Sequence, residues 1–309
     1  MAILFLSDAD AVTAWAAALA NELAGEDIRV NTPAEDDGDV EFAVVWKPNP
    51  GRLARIPGLK AIFSLGAGVD HVFADPELPA GVPVIRLVDP LMIAQMTEYV
   101  VMNVLWHHRA MDDYAAQQAR GEWRELDLPR TNARRIGIMG LGAMGNAAAA
   151  ALAQLGFPLA GWTRTERDWP LGAGFHGSDG LASFLGISDI LVCLLPLTPE
   201  TKGILNARAF AALPKGAVVI NAARGGHLVE ADLLEALATG RLSAATLDVF
   251  DEEPLPASHP FWTHPQIRVT PHVAALTYAD TAARDIAANI AKIRAGEPVS
   301  GLVDRDRSY

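Results

Sequence analysis

The chain has one cysteine in 309 residues, so no disulfide framework can staple it. That fits a reducing compartment and leads us to expect a cytoplasmic protein. Positive charge is also scarce: 25 Lys and Arg stand against 37 Asp and Glu, a formal net charge of −12. Nucleic acid and anionic membrane surfaces normally require a basic face, so neither is expected as a partner. No stretch approaches the ~18 uninterrupted apolar residues of a membrane span; the alanine run Ala147–Ala151 soon meets Gln154, Gly156 and Pro158. The opening residues Met1–Asp8 carry no basic flank, and their apolar run is shorter than that of a secretion signal. They read as a first buried strand. What is plentiful is apolar: 50% of residues are hydrophobic and 20% charged, the balance of a folded chain with a large core.

The length suits two domains. Short apolar runs alternate with helical patterns from end to end, as in βαβ units with a parallel sheet. Strands are expected at Ile3–Leu6, Phe42–Val45, Ala61–Leu65, Val84–Arg86, Arg135–Met139, Leu159–Trp162, Ile190–Leu194, Val218–Asn221, Ala244–Asp248 and Arg268–Thr270. A long helix is expected from about Leu91 to Arg109, then a polar stretch through Arg120-Gly121-Glu122-Trp123-Arg124, and a last helix from roughly Thr277 to Ala295. We therefore expect an α/β protein of two Rossmann-like, doubly wound domains. Residues 99–284 form a nucleotide-binding domain inserted into a flavodoxin-like substrate domain made of 1–98 and 285–309.

The strand expected at Arg135–Met139 runs into Gly140-Leu141-Gly142-Ala143-Met144-Gly145 and an alanine-rich helix. In that setting a G-x-G-x-x-G has a mechanism. Gly140 permits the turn, Gly142 lets the backbone approach a pyrophosphate, Gly145 lets helix and strand pack closely, and the helix start attracts negative charge. NAD-selective sites place an acid at the end of the next strand to bond the ribose 2′-hydroxyl, but this strand ends Gly161-Trp162-Thr163-Arg164-Thr165. Arg164 offers a planar donor fork that matches a phosphate, with Thr163 and Thr165 beside it. NADP(H) is therefore expected over NAD(H).

Three further segments put polar residues at the carboxyl ends of expected strands, where open α/β sheets bind ligands. They are Asn221-Ala222-Ala223-Arg224-Gly225, Asp248-Val249-Phe250-Asp251-Glu252-Glu253-Pro254-Leu255-Pro256 and Thr270-Pro271-His272-Val273-Ala274. With Leu213-Pro214-Lys215-Gly216 ahead of the first, and in this order after the glycine motif, they resemble the D-isomer-specific 2-hydroxyacid dehydrogenases over nearly the whole chain. Within that family the chain looks most like the glyoxylate/hydroxypyruvate reductase A subgroup, on Val45-Trp46, Leu65-Gly66-Ala67-Gly68-Val69-Asp70, Phe157-Pro158-Leu159, Trp162-Thr163-Arg164-Thr165 and Val303-Asp304-Arg305.

The resemblance implies reduction of small 2-oxo acids, and the residue chemistry supports it. Histidine ordinarily exchanges a proton near neutral pH, so His272 is the expected proton donor, with Glu253, which directly precedes proline, orienting it. Arg224 binds the substrate carboxylate and polarises the carbonyl. The resemblance also puts the carboxylate on the amides of Ala67 and Gly68 and makes Trp46 a pocket wall. A tryptophan buried at the domain seam is the other reading of Trp46. Leu195, Pro196, Thr198 and Thr201 match the family's loop over the riboses, Ala222 and Ala223 back the nicotinamide ring, and Trp162, Ala143 and Met144 complete the cofactor contacts. Asp248 either bonds the carboxamide or closes its own loop. A homodimer is implied, with Trp123 reaching the partner subunit.

Two other functions stand beside this one: a family member acting on lactate, phosphoglycerate or formate, and a non-catalytic dinucleotide-sensing interaction protein. The second has no use for Arg224, Glu253 and His272 together. The net negative charge does not oppose an anionic ligand, because Arg164, Arg224 and the helix start after Gly142 make the expected site locally positive.

Overall fold

The computed structural model describes residues 2–7, 12–34, 37–307 and 309. The chain divides into two compact units, Met1–Met92 with Leu276–Tyr309, and Ile93–Ala275. The seams fall at 92/93 and 275/276, beside the sequence-based seams at 98/99 and 284/285; the first seam of each pair lies inside the helix Pro90–His108.

The first unit contains β1 (Ala2–Ser7), α1 (Val12–Glu22), β2 (Asp27–Val30), β3 (Val40–Trp46), β4 (Ala61–Ser64), α2 (Asp70–Phe73) and β5 (Val84–Ile85). All strand pairs in its sheet are parallel, in the order β2-β1-β3-β4-β5. This is the flavodoxin-like order. Every residue of β1 is buried, which is why Ala-Ile-Leu-Phe-Leu reads as one apolar run rather than an alternation. The tail returns to this sheet, where Val303 N donates to Val84 O at 2.9 Å.

The second unit follows with α3 (Pro90–His108), α4 (Met111–Arg120), β6 (Ile136–Met139), α5 (Ala143–Gln154), β7 (Leu159–Thr163), β8 (Ala173–His176), α6 (Gly177–Leu185), β9 (Ile190–Cys193), α7 (Ala207–Ala212), β10 (Ala217–Asn221), α8 (Glu230–Ala238), β11 (Leu242–Leu247) and β12 (Ile267–Val269). Helix α9 (Ala279–Ala295) belongs to the first unit, where it packs against α1. The second sheet is also parallel throughout, in the order β12-β11-β10-β9-β6-β7-β8. Its strand order reverses between β9 and β6, the point at which doubly wound sheets open a crevice for ligands. The expected fold class is what the structure has.

The elements not anticipated are instructive. Strand β2 is Asp-Ile-Arg-Val and strand β8 is Ala-Gly-Phe-His; both are sheet edges with exposed or half-buried residues. Edge strands need no continuous apolar run, so the pattern that marked the central strands is missing from them. Helix α4 lies within what read as a polar stretch, and Gly121 closes it in a left-handed turn.

Candidate active site

In the second unit the motif residues gather at the carboxyl ends of the strands. Helix α5 starts directly after the glycine loop, and its buried positions Gly145, Ala148, Ala149 and Leu152 recur at helical spacing. Gly140 has φ +97°, and a methyl group on Gly145 would run into the Gly140 carbonyl, so these two positions admit only glycine. Gly142 and Ala143 are exposed at the helix start, and no side chain caps it. The first amides of a helix lack intrahelical partners, so they are presented outward here. This cradle fits the pyrophosphate of a dinucleotide.

The loop after β7 adds cations. Arg164 is exposed, while Arg167 donates from Nη1 to the Leu141 carbonyl at 2.7 Å and so braces the glycine loop. Asn146 donates to the same carbonyl at 2.7 Å and accepts from Trp169 Nε1 at 2.9 Å. Trp162 is buried with its indole N–H given to Gly177 O at 2.9 Å, and the Thr163 hydroxyl proton goes to Thr165 O at 2.8 Å. Across the β9 loop, Thr201 Oγ1 accepts from Thr198 N at 2.8 Å and donates to Pro196 O at 2.7 Å. Glu200 holds its carboxyl below the usual range, first through a hydrogen bond from Thr198 and in lesser part through the charge of Arg164.

Leu195, Ala222 and Ala223 are buried apolar residues around the ends of β9 and β10. Asn221 ties down the loop bearing Arg224: its Nδ2 donates to Arg224 O at 3.0 Å and its Oδ1 accepts from Ala223 N at 3.3 Å. Arg224 is half-buried and donates from Nη1 to Ala223 O at 2.7 Å. His227, fully buried, stands 3.2 Å from Pro196 O through Nε2 and 3.1 Å from Arg224 O through Nδ1. It joins the two loops, a role with no motif to announce it.

At the ends of β11 and β12 lies the pair with the clearest chemistry. His272 Nδ1 is 2.8 Å from Glu253 Oε2, and Glu253 Oε1 accepts from Phe250 N at 3.0 Å. The carboxylate is an acceptor for the ring N–H, which directs the second nitrogen, Nε2, away from it. The Glu253–Pro254 peptide bond is cis, and His272 itself has φ +54°. Asp248, 1% exposed, accepts from Thr270 Oγ1 at 2.6 Å and from the amides of Val273 and Ala274 at 2.9 Å each. Of its two readings, loop closure is the one these contacts satisfy within the chain.

In the first unit, Ala67 and Gly68 follow β4. Ser64 Oγ accepts from Gly66 N at 3.3 Å and donates to Gly68 O at 3.0 Å, which folds the loop back on its strand. The Ala67 and Gly68 amides, half-exposed, meet no acceptor among the described residues, as an anion nest requires. Trp46 ends β3 with its ring 4.5 Å from that of His71. A cavity of about 270 Å³ beside it is lined also by Ser7, Asn31, Lys47 and Arg52.

A family model described as "D-isomer specific 2-hydroxyacid dehydrogenase, NAD binding domain" matches residues 101–274. The chain belongs to the D-isomer-specific 2-hydroxyacid dehydrogenases. Relatives in this dehydrogenase family include a Serratia proteamaculans (strain 568) protein named glyoxylate/hydroxypyruvate reductase A, 45% identical over 295 residues, 94% of each chain. A D-isomer-specific 2-hydroxyacid dehydrogenase from Xanthobacter autotrophicus Py2, solved in complex with NADPH and MES, matches with a TM-score of 0.93 and 44% identity, covering 100% of this chain and 99% of that one. An NADPH-dependent glyoxylate/hydroxypyruvate reductase from Sinorhizobium meliloti, solved with NADP and sulfate, matches with a TM-score of 0.92 and 41% identity at the same coverage. Among the described residues of this dehydrogenase, no helix is long and apolar enough to cross a membrane, and no cluster of side chains suits a metal ion.

Proposed function

We propose that this protein reduces small 2-oxo acids, glyoxylate to glycolate and hydroxypyruvate to D-glycerate, using NADPH in preference to NADH. The observation that carries the reading is the 2.8 Å contact between His272 Nδ1 and Glu253 Oε2, which leaves Nε2 to meet a substrate oxygen. The bound dinucleotide supplies the hydride to the 2-carbon of the acid. His272 holds the proton at Nε2 and delivers it to the carbonyl oxygen, so that a C–H and an O–H bond form as the C=O π bond breaks. Glu253 orients the ring by accepting from Nδ1. Arg224 polarises the carbonyl and binds the carboxylate through its donor fork, and the amides of Ala67 and Gly68 offer a nest suited to a carboxylate.

Gly140, Gly142, Ala143, Met144 and Gly145 hold the pyrophosphate, and Arg164 with Thr165 takes the 2′-phosphate. Trp162, Thr163, Leu195, Pro196, Thr201, Ala222 and Ala223 line the remaining cofactor surface. The relatives solved with NADPH and NADP, and the absence of an acid from Trp162 to Thr165 at the strand end, support this choice. Trp46 limits the site to short acids. The same proposal has the chain working as a cytoplasmic homodimer; its lone cysteine, buried in β9, and the fully exposed Trp123 on the arm after α4 support this.

A steady-state panel of glyoxylate, hydroxypyruvate, pyruvate and longer 2-oxo acids, each with NADPH and NADH, tests the reading. The highest kcat/KM is expected for the two short acids with NADPH. Tight NADPH binding without oxidation by any of them would overturn it.

A further inference from the structure

We propose that Tyr99 and Thr270 are positioning residues for His272, acting through the buried carboxylate of Asp248. The proposal rests on the reading of His272 as proton donor.

The turn that carries His272 needs holding. Its φ of +54° lies in the left-handed region that L side chains rarely occupy, and Pro271 before it has no amide to contribute. Asp248 supplies the grip. Its backbone carbonyl accepts from His272 N at 2.8 Å, and its carboxylate accepts from Val273 N and Ala274 N at 2.9 Å each. Three consecutive amides of the turn thus converge on one residue at the end of β11.

The carboxylate is fixed in turn by a chain of hydroxyls. Thr270 gives its single proton to Asp248 Oδ1 at 2.6 Å. The 2.6 Å contact between Thr270 Oγ1 and the Tyr99 phenol must then use the phenol's proton, since a hydroxyl has only one to give. The direction is therefore set: Tyr99 donates to Thr270, Thr270 donates to Asp248, and Asp248 receives the amides around His272. Burial pushes the Tyr99 hydroxyl up to about 12, with the Asp248 charge acting in the same direction, so the donor end of the chain keeps its proton throughout the neutral range. Tyr99 comes from α3, far from the motif loops in sequence, and is 7% exposed. Its hydroxyl acts on the reaction only through the turn.

Loosening the chain widens the range of angles from which the imidazole meets its partner, and catalysis is sensitive to such misplacement. The loss should fall on kcat. The experiment compares the intact enzyme with Tyr99→Phe, Thr270→Val and Thr270→Ser, measuring kcat, both KM values with NADPH and glyoxylate, and the pH profile of kcat. Tyr99→Phe and Thr270→Val are expected to lower kcat roughly ten-fold and to move the pH profile, with the KM for NADPH unchanged. Thr270→Ser keeps the hydroxyl and should retain the wild-type rate.

His272→Ala and the double variant with Tyr99→Phe complete the series. Once His272 is gone, removing the phenol hydroxyl should cost nothing more. An unaltered kcat and pH profile in Tyr99→Phe would overturn the proposal, as would Thr270→Ser being as impaired as Thr270→Val, or a loss borne by the KM for NADPH alone. If Thr270→Val does not fold, Tyr99→Phe decides. A wild-type rate in His272→Ala would instead sink the proton-donor reading, which separates that failure from failure of the positioning chain.

Discussion

The imidazole of His107, near the end of α3, faces the hydroxyl of Thr246 in β11 at 2.8 Å, and both side chains are buried. Burial lowers the His107 pKa to about 4, with the charges of Arg268 and Arg134 assisting and that of Asp112 opposing. The folded protein therefore holds a neutral ring, whereas the unfolded chain takes up a proton near the ordinary value of 6.5. The stability tied to this group is fully present above about pH 6.5 and is lost as the pH falls toward 4. It amounts to roughly 3 kcal/mol at most. Urea unfolding of the wild type and His107→Asn at pH 7.5 and 4.5 checks this: the wild type should lose more stability across the interval than the variant.

His272→Ala should lower kcat by about 10²–10⁴-fold, the range for removal of a positioned proton donor, while NADPH titrated by fluorescence still binds. Glu253→Gln should lower kcat less, because an amide oxygen still accepts from Nδ1, though more weakly than a carboxylate does. Equal NADPH affinity in all three proteins confirms that the effect lies in the chemical step.

Arg164→Ala should reduce the preference for NADPH over NADH by roughly 10- to 100-fold in kcat/KM, on the order of one charge-assisted hydrogen bond. Glu200→Gln should act in the opposite sense, since a negative charge that interacts with Arg164 is removed. Both effects should shrink as ionic strength rises. The check is a kinetic series at low and high salt.

Arg224→Lys should not rescue Arg224→Ala. A lysine is a point charge without the planar fork that grips a carboxylate at two points, so kcat/KM for glyoxylate should fall by about 10-fold or more in both. The KM for NADPH should be unaffected.

The cofactor end of the fold was legible because its signals are local. Gly140, Gly142 and Gly145 lie within six residues, and the strand before them and helix after them are marked by apolar runs and helical spacing. The central strands, buried on both faces, announce themselves in the same way. Strands β2 and β8 did not, because a sheet edge is stabilised by its one neighbour and tolerates Asp, Arg, Gly and His.

The sequence by itself determined the parallel α/β architecture and the family, since both depend on residues close together in the chain, and it put forward the set of side chains proposed for the chemistry. Only the tertiary structure decided how that set is held. Glu253, which its proline had already singled out from Asp251 and Glu252, meets His272 at a separation of 19 residues. His227 links two loops 31 residues apart, and Tyr99 reaches Thr270 across 171. Such contacts arise when packed helices and strands bring distant hydroxyls and carbonyls within about 3 Å, and no local pattern of residues records which ones will meet.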